Sequence, residues 1–307
     1  MENRKNLVDI VIPTYKPDEK FHMLLEMLGR QTYPVHKILV MNTEKAFYPE
    51  RLLRDYPDVQ VEHLSREEFD HGGTRDRAAR LLSGDFLLFM TQDAVPADEH
   101  LVEALVNVFQ DPSVDAAYAR QLPNKDCGVI ERYTRSFNYP EKSCVKSKED
   151  LPVYGIKTFF CSNVCAMYRR DSYCRLGGFE TYTIFNEDMI FAGKIIQNGG
   201  QIVYVSEARV IHSHNYGNLE QFHRNFDLAV SQAQHPDIFS MASSESEGLR
   251  LVKQTAGYLC RIRKPWLIFD LVIKSGFKFM GYRFGKRYER LPKKLVRLFS
   301  MNKSYWE

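Results

Sequence analysis

Apolar positions along the chain follow two alternating rhythms. Residues 8–13 form a β-branched run closed by Pro13 and Thr14, which predicts a strand, and 18–30 then carry Phe21, Leu24, Leu25 and Leu28 at helical spacing. The same alternation predicts strands over 37–41, 59–63, 85–90 and 116–119, with helices over 74–82 and 98–109. Residues 121–154 are polar and weakly periodic, and read as a long excursion of a kind that usually serves a function. Regular patterning resumes over 158–168. A helix over 187–197 stops at Asn198-Gly199-Gly200, strands follow over 201–205 and 208–211, and 219–233 is helical. From Glu247 come three basic, apolar segments broken at Pro265 and Pro292. Apolar strands alternating with helices predict an α/β fold: a mostly parallel central sheet with helices on both faces, plus a C-terminal helical appendage.

Composition changes this picture in one respect. The 307 residues are 44% hydrophobic and 26% charged, as in ordinary globular chains, and the formal net charge is only +3. That small number conceals a split. From Arg250 to Glu307 there are 15 Lys and Arg against 3 Asp and Glu, a balance of +12, while the first 249 residues hold 27 against 36, or −9. Such asymmetry points to a basic segment that faces a membrane or a nucleic acid. A nucleic-acid-binding protein would have only that tail to bind with, since the body is acidic and carries no helix-turn-helix, RNA-recognition or zinc-finger pattern. Met1 to Val8 has no apolar signal core, no stretch reaches the ~20 apolar residues of a membrane span, and the six cysteines form no C-x₂-C pair. These features predict a cytoplasmic chain with free thiols.

In a parallel sheet, ligands sit beyond the carboxyl ends of the strands, so the residues that follow strands carry the chemistry. No G-x-G-x-x-G follows the first strand and no G-x₄-G-K-[ST] occurs, which excludes the usual dinucleotide and P-loop solutions. Asp93 ends an apolar strand, where its carboxylate is either a turn residue or a ligand for a hard divalent cation. His212 and His214 stand two apart, so an extended backbone points both the same way, toward one ion or as an ordinary packed pair. Asn186-Glu187-Asp188 opens a helix. It is a capping arrangement or a carboxylate placed to take a proton from a hydroxyl. His71-Gly72-Gly73-Thr74-Arg75-Asp76 joins a turn, a helix N-terminus and a cation, which suits a diphosphate or simply a helix start.

In combination these motifs resemble the family 2 glycosyltransferases of GT-A fold over about the first 230 residues. Val11 to Tyr15 is similar to the family's opening strand, Gly72 to Ala79 to its G-x-x-R-N/D segment, Thr91-Gln92-Asp93-Ala94 to its DXD position, and Gly177-Gly178-Phe179 with Glu187-Asp188 to its GGF…ED pair. Asp70 to Arg75 and Thr91 to Ala94 look most like the rhamnosyltransferase branch. The resemblance implies an inverting transfer of L-rhamnose from dTDP-β-L-rhamnose to a hydroxyl of a lipid-linked saccharide in cell-surface polysaccharide synthesis. A UDP-hexose donor is the alternative within the same fold. It implies Asp188, or else Glu187, as catalytic base, and Asp93 with His212 or His214 as ligands of Mg²⁺ or Mn²⁺. Pro13, Thr14, Tyr15, Asn42, Gly73, Arg75, Asp76, Thr91 and Gln92 fall at the donor, and Ser162 and Asn163 at the acceptor. Residues 1–245 would form the catalytic domain. Residues 246–307, where Trp266, Phe269, Phe277 and Phe279 interleave with Lys274, Lys278 and Arg283, would rest on the anionic inner face of the plasma membrane, pack on the body, or join a homodimer.

Overall fold

The computed structural model describes residues 5–241 and 244–306. Nine strands, β1 (Val8–Tyr15), β2 (Val35–Thr43), β3 (Val59–Leu64), β4 (Phe86–Met90), β5 (Val95–Pro96), β6 (Val114–Leu122), β7 (Cys144–Lys146), β8 (Cys165–Arg169) and β9 (Gln201–Ile211), form one sheet among the described residues. Its order is β3-β2-β1-β4-β8-β6-β9-β5, with β7 added beside β9. Helices α1 (Glu19–Gly29), α2 (Glu50–Asp55), α3 (His71–Leu81), α4 (Leu101–Asn107), α5 (Val129–Asn138), α6 (Leu151–Tyr154), α7 (Arg170–Arg175) and α8 (Glu187–Gln197) connect the strands. After β9 come α9 (Asn218–Gln234), α10 (Pro236–Phe239), α11 (Ser244–Arg261), α12 (Leu267–Gly285) and α13 (Lys293–Phe299).

One hydrophobic core lies on each face of the sheet. The outward sides of β1 and β4 meet α1 and α4 through Ile10, Ile12, Leu24, Leu88 and Leu105, while Val11, Leu87 and Phe89 meet α3 and α8 through Ala78, Ala79, Phe191 and Ile195. Strand β4 is buried at every position, as a strand covered on both faces must be.

The sheet is more mixed than the strand-helix alternation predicts. Pairings from β3 through β4 are parallel, but β8 runs antiparallel to both its neighbours, β4 and β6. This reversal has a purpose for the site. It places the start of β8, preceded by Ser162-Asn163, beside the carboxyl end of β4, with Met90 opposite Cys165. The two strands expected over 201–205 and 208–211 are one strand, β9, whose register against β6 shifts between Ala119 and Arg120. A bulge of this kind interrupts apolar alternation without ending the strand. The excursion over 121–154 holds more structure than its polarity suggests, namely the end of β6, α5, β7 and α6. Over 158–168 only Cys165–Arg169 is strand; Gly155–Phe159 is a 3₁₀ helix and 160–164 are loop and turn.

Helix α9 is the joint between the sheet and the C-terminal helices. Gly281 and Gly285 lie on the face of α12 that crosses it, and a Cβ on either would overlap the Phe222 or Phe226 carbonyl oxygen. Asp227 Oδ2 accepts from the backbone N–H groups of Met301 (2.8 Å) and Asn302 (3.2 Å), and Val296 joins Ile184, Phe226 and Val230 in a third apolar cluster. Residues 246–306 therefore share a core with the body. Replacing Gly285 with Val is expected to lose about 1–3 kcal/mol of stability through overpacking. Urea denaturation would measure the loss, and an unchanged midpoint would mean that α12 does not sit this closely on α9.

Candidate functional site

Strand ends converge at one edge of the sheet. Beyond β4, the turn Thr91-Gln92-Asp93-Ala94 closes with Ala94 N–H donating to the Thr91 carbonyl, and β5 then pairs antiparallel with the end of β9, Val95 opposite Ile211. That pairing brings Asp93 to the residues that follow β9. His212 Nε2 and His214 Nε2 stand 3.5 and 3.4 Å from Asp93 Oδ2. One ligand atom from each of the three residues lies within 4.8 Å of the others.

The donor set fits a divalent cation. His212 Nδ1 donates to Gln121 Oε1 at 3.0 Å, and the Gln121 amide is itself oriented by donating from Nε2 to Ser162 Oγ at 3.2 Å. This network leaves Nε2 of His212 as the free lone pair directed at Asp93, the arrangement by which outer partners fix a ligating imidazole. Burial pushes His212 down to about 3, against the pull of Asp93, with His214, Arg135 and Arg224 adding to the fall. It is therefore neutral and able to ligate. His214 stacks on Tyr216 with ring centres 4.9 Å apart. A carboxylate with two imidazoles suits Mn²⁺ better than Mg²⁺, which prefers oxygen ligands.

Across the cleft, Glu187 and Asp188 open α8, preceded by Asn186 in the left-handed conformation at φ 64°. Asn186 is held there by donating from Nδ2 to the Leu228 carbonyl of α9, and Ser231 of the same helix donates to the Phe185 carbonyl. Burial pushes Glu187 up, but Arg75 at 3.2 Å, His71 and Asn163 together bring it below the ordinary value. Asp188 forms no ion pair among the described residues, and Arg75 lowers it only as the weakest influence. Burial and then the adjacent Glu187 charge raise it to about 7, although the N–H groups of Asn163 (3.2 Å) and Met189 (2.7 Å) donate to its oxygens. Two carboxylates in one buried place are thus driven apart in basicity, with Asp188 poised near neutrality.

Several expected contacts are replaced by positioning roles. Asn42 is 0% exposed, accepting from Thr14 Oγ1 and donating to the Glu44 carbonyl and His63, so its side chain is held by these three partners. Asn163 is 2% exposed, donates to Glu187 and accepts from Tyr168, so it orients the carboxylate pair. Asp76 accepts from Tyr173 and Arg80 and packs against Gly178, where φ is 73° and a Cβ would overlap it. It locks the Gly177-Gly178-Phe179 turn. Gln92 binds the Tyr15 main chain through both amide atoms, and the Gly73 N–H is taken by the capping carboxylate of Asp70. Pro13 is half-buried, whereas Tyr15 is exposed and meets Phe47 edge to face with Lys16 above. Among the described residues, Arg75 Nε and Thr91 Oγ1 are buried without a hydrogen-bond partner, as polar atoms that could meet a bound donor would be.

Sequence reasoning missed Gln121, the bridge between His212 and Ser162, and Arg224, whose guanidinium lies over Phe185 (4.6 Å) and Tyr216 (5.8 Å). Neither belongs to a local motif. Gln121 is marked only by ending a strand.

Comparison with known proteins agrees with this geometry. The model of glycosyl transferase family 2 matches residues 9–177. O-antigen chain rhamnosyltransferase RfbN of Salmonella typhimurium is 39% identical over 97% of this chain and 96% of its own, and O-antigen chain rhamnosyltransferase WbaN of Salmonella anatum is 36% identical over 97% and 95%. Among solved structures, the mannosyltransferase PcManGT from Pyrobaculum calidifontis, in complex with GDP-Man and Mn²⁺, aligns with a TM-score of 0.62 at 14% identity, covering 94% of this chain and 89% of that one. Staphylococcus aureus TarS 1-349 in complex with UDP-GlcNAc aligns at 0.53 and 15% identity, covering 92% and 91%. The two solved structures are similar in fold. With the family model spanning more than half of the chain and relatives similar along nearly all of it, the protein belongs to glycosyl transferase family 2.

Proposed function

We propose that the protein transfers L-rhamnose from dTDP-β-L-rhamnose to a hydroxyl of a lipid-linked saccharide in O-antigen synthesis. The likeness to two O-antigen chain rhamnosyltransferases along almost the whole chain carries this reading. The site supplies the chemistry. Asp188, kept near neutrality by Glu187 and burial, accepts the proton of the acceptor hydroxyl; the oxygen attacks the anomeric carbon from the face opposite the diphosphate, the old C–O bond breaks and dTDP leaves. Inversion of a β-linked donor gives an α-rhamnoside. Asp93, His212 and His214 would hold Mn²⁺, which when bound offsets the charge on the leaving diphosphate. Arg75 Nε and Thr91 Oγ1 would find partners on the donor, and Tyr15 with Phe47 offers an apolar face beside it.

The proposal extends to location. Among the described residues, no helix is long and apolar enough to cross a membrane. Trp266 (67% exposed), Phe269 (75%) and Phe279 (58%) nevertheless project from α12 and its approach, in a segment of balance +12. Aromatic side chains among cations suit the surface of an anionic bilayer, and the charge complementarity favours lipid over a second, equally basic copy.

Offered dTDP-β-L-rhamnose and UDP-hexoses in parallel, the protein should release dTDP. Asp188→Asn should lower turnover by about 10²- to 10⁴-fold with dTDP affinity retained. Asp93→Ala should instead lose the Mn²⁺-dependent part of dTDP binding in titration calorimetry. Normal turnover in the first variant, or unchanged affinity in the second, would remove that residue from its role. In flotation, the protein should rise with phosphatidylglycerol vesicles and remain below with phosphatidylcholine; equal behaviour on both would exclude a charge-guided membrane contact.

A further inference from the structure

Two cations beside the site form no ion pair among the described residues. Arg224, on α9, stacks on Phe185 and Tyr216, the first just before Asn186-Glu187-Asp188 and the second against His214. It therefore lies between the carboxylate pair and the ligand cluster. Lys278, on α12, is on the helix face that also carries buried Leu271, Gly281 and Gly285, so it points inward toward α9 and α5 rather than out with Phe279 and Met280. Neither Arg224 nor Lys278 makes a hydrogen bond or an ion pair with any described residue. Neighbouring cations do: Lys274 pairs with Asp270 at 2.8 Å, and Arg135 with Glu131 at 2.9 Å and also with Gln121.

Lys278 lies among Glu131, Lys274, Arg224 and Arg135. Burial depresses its ammonium, Glu131 opposes that fall, and Lys274, Arg224 and Arg135 deepen it. A half-buried ammonium on an inward face, beside an unpaired guanidinium, costs free energy unless an anion completes the site. Arg and Lys together are the side chains that recognise phosphate, the first as a fork and the second as a point charge.

We propose that Arg224 and Lys278 form a phosphate subsite, built jointly by α9 and α12, for the diphosphate of the lipid that carries the acceptor saccharide. This rests on the transferase reading given above. Its reason is continuity: α12 presents Phe269 and Phe279 outward and Lys278 inward. A lipid diphosphate lying along this helix would meet Lys278 and then Arg224, with its saccharide directed toward Asp188. The donor diphosphate has its own partners in the Asp93, His212 and His214 cluster and in Arg75. The C-terminal helices would then recognise the acceptor as well as anchor the body.

Binding of geranylgeranyl diphosphate, geranylgeraniol and dTDP with Mn²⁺ can be titrated separately, so the test needs no turnover and is independent of whether rhamnose is transferred. The wild-type protein should bind the diphosphate at least about tenfold more tightly than the alcohol. Lys278→Gln should remove about tenfold of that preference while leaving geranylgeraniol and dTDP unchanged, and Lys278→Arg should restore it. Equal affinity of the wild type for the two lipids, or no effect of Lys278→Gln, would overturn the proposal. Weakening of dTDP by as much as the lipid diphosphate would overturn it too, because the cations would then belong to the donor. Should Lys278→Gln unfold, Lys278→Arg and the wild-type comparison of diphosphate with alcohol still decide.

Discussion

The structure depends on setting a buried carboxylate, Glu187, beside a half-buried one, Asp188, at the start of one helix with a single close cation. Glu187 takes that cation, Arg75, and stays ionised; Asp188 is left with backbone N–H groups and the repulsion of its neighbour. Ionising both without partners would cost several kcal/mol, so the surroundings are arranged to hold one charge firmly and the other conditionally. Asn163 serves both through its side chain and backbone, Tyr168 orients Asn163, and the left-handed turn at Asn186 aims the pair into the cleft. The antiparallel course of β8 follows from the same need, since it delivers Asn163 to the strand ends.

The second half of the site is coupled to the first through Gln121. Its amide reaches His212 on one side and Ser162, the residue before Asn163, on the other. The polar excursion closes over this bridge, with Asn124 donating to Ser213 from both its backbone and its side chain. Helix α9 supports the other side by holding Phe185 and Asn186, and the C-terminal helices in turn hold α9 through Gly281, Gly285 and Asp227. Residues far along the chain thus fix the position of the carboxylate pair.

Much of this was legible in sequence, and for physical reasons. Short apolar strands and helices with Phe21, Leu24 and Leu28 in step announce themselves by period, and Asp93, His212, His214 and Asp188 stand directly after strands or at a helix start, where chemistry gathers. What sequence could not show was the direction of side chains. Asn42, Asp76 and Asn163 occupy motif positions but turn into the protein to satisfy neighbours. Strand sense was also hidden, because β8, buried at four of its five positions, has the same apolar pattern as the strands that pair in parallel. Gln121 and Arg224 left no local signal, since Gln121 meets Ser162 and His212 at separations of 41 and 91 positions and Arg224 meets Phe185 from a different helix.

The claim that Asp188 is the proton acceptor is tested most directly by the pH dependence of kcat/KM with saturating Mn²⁺. Asp188 accepts a proton only when ionised, and its pKa lies near 7. Activity should therefore rise with pH through about 7 and level off above it. An acidic limb falling entirely below pH 5, in the range of an ordinary carboxylate, would contradict the account.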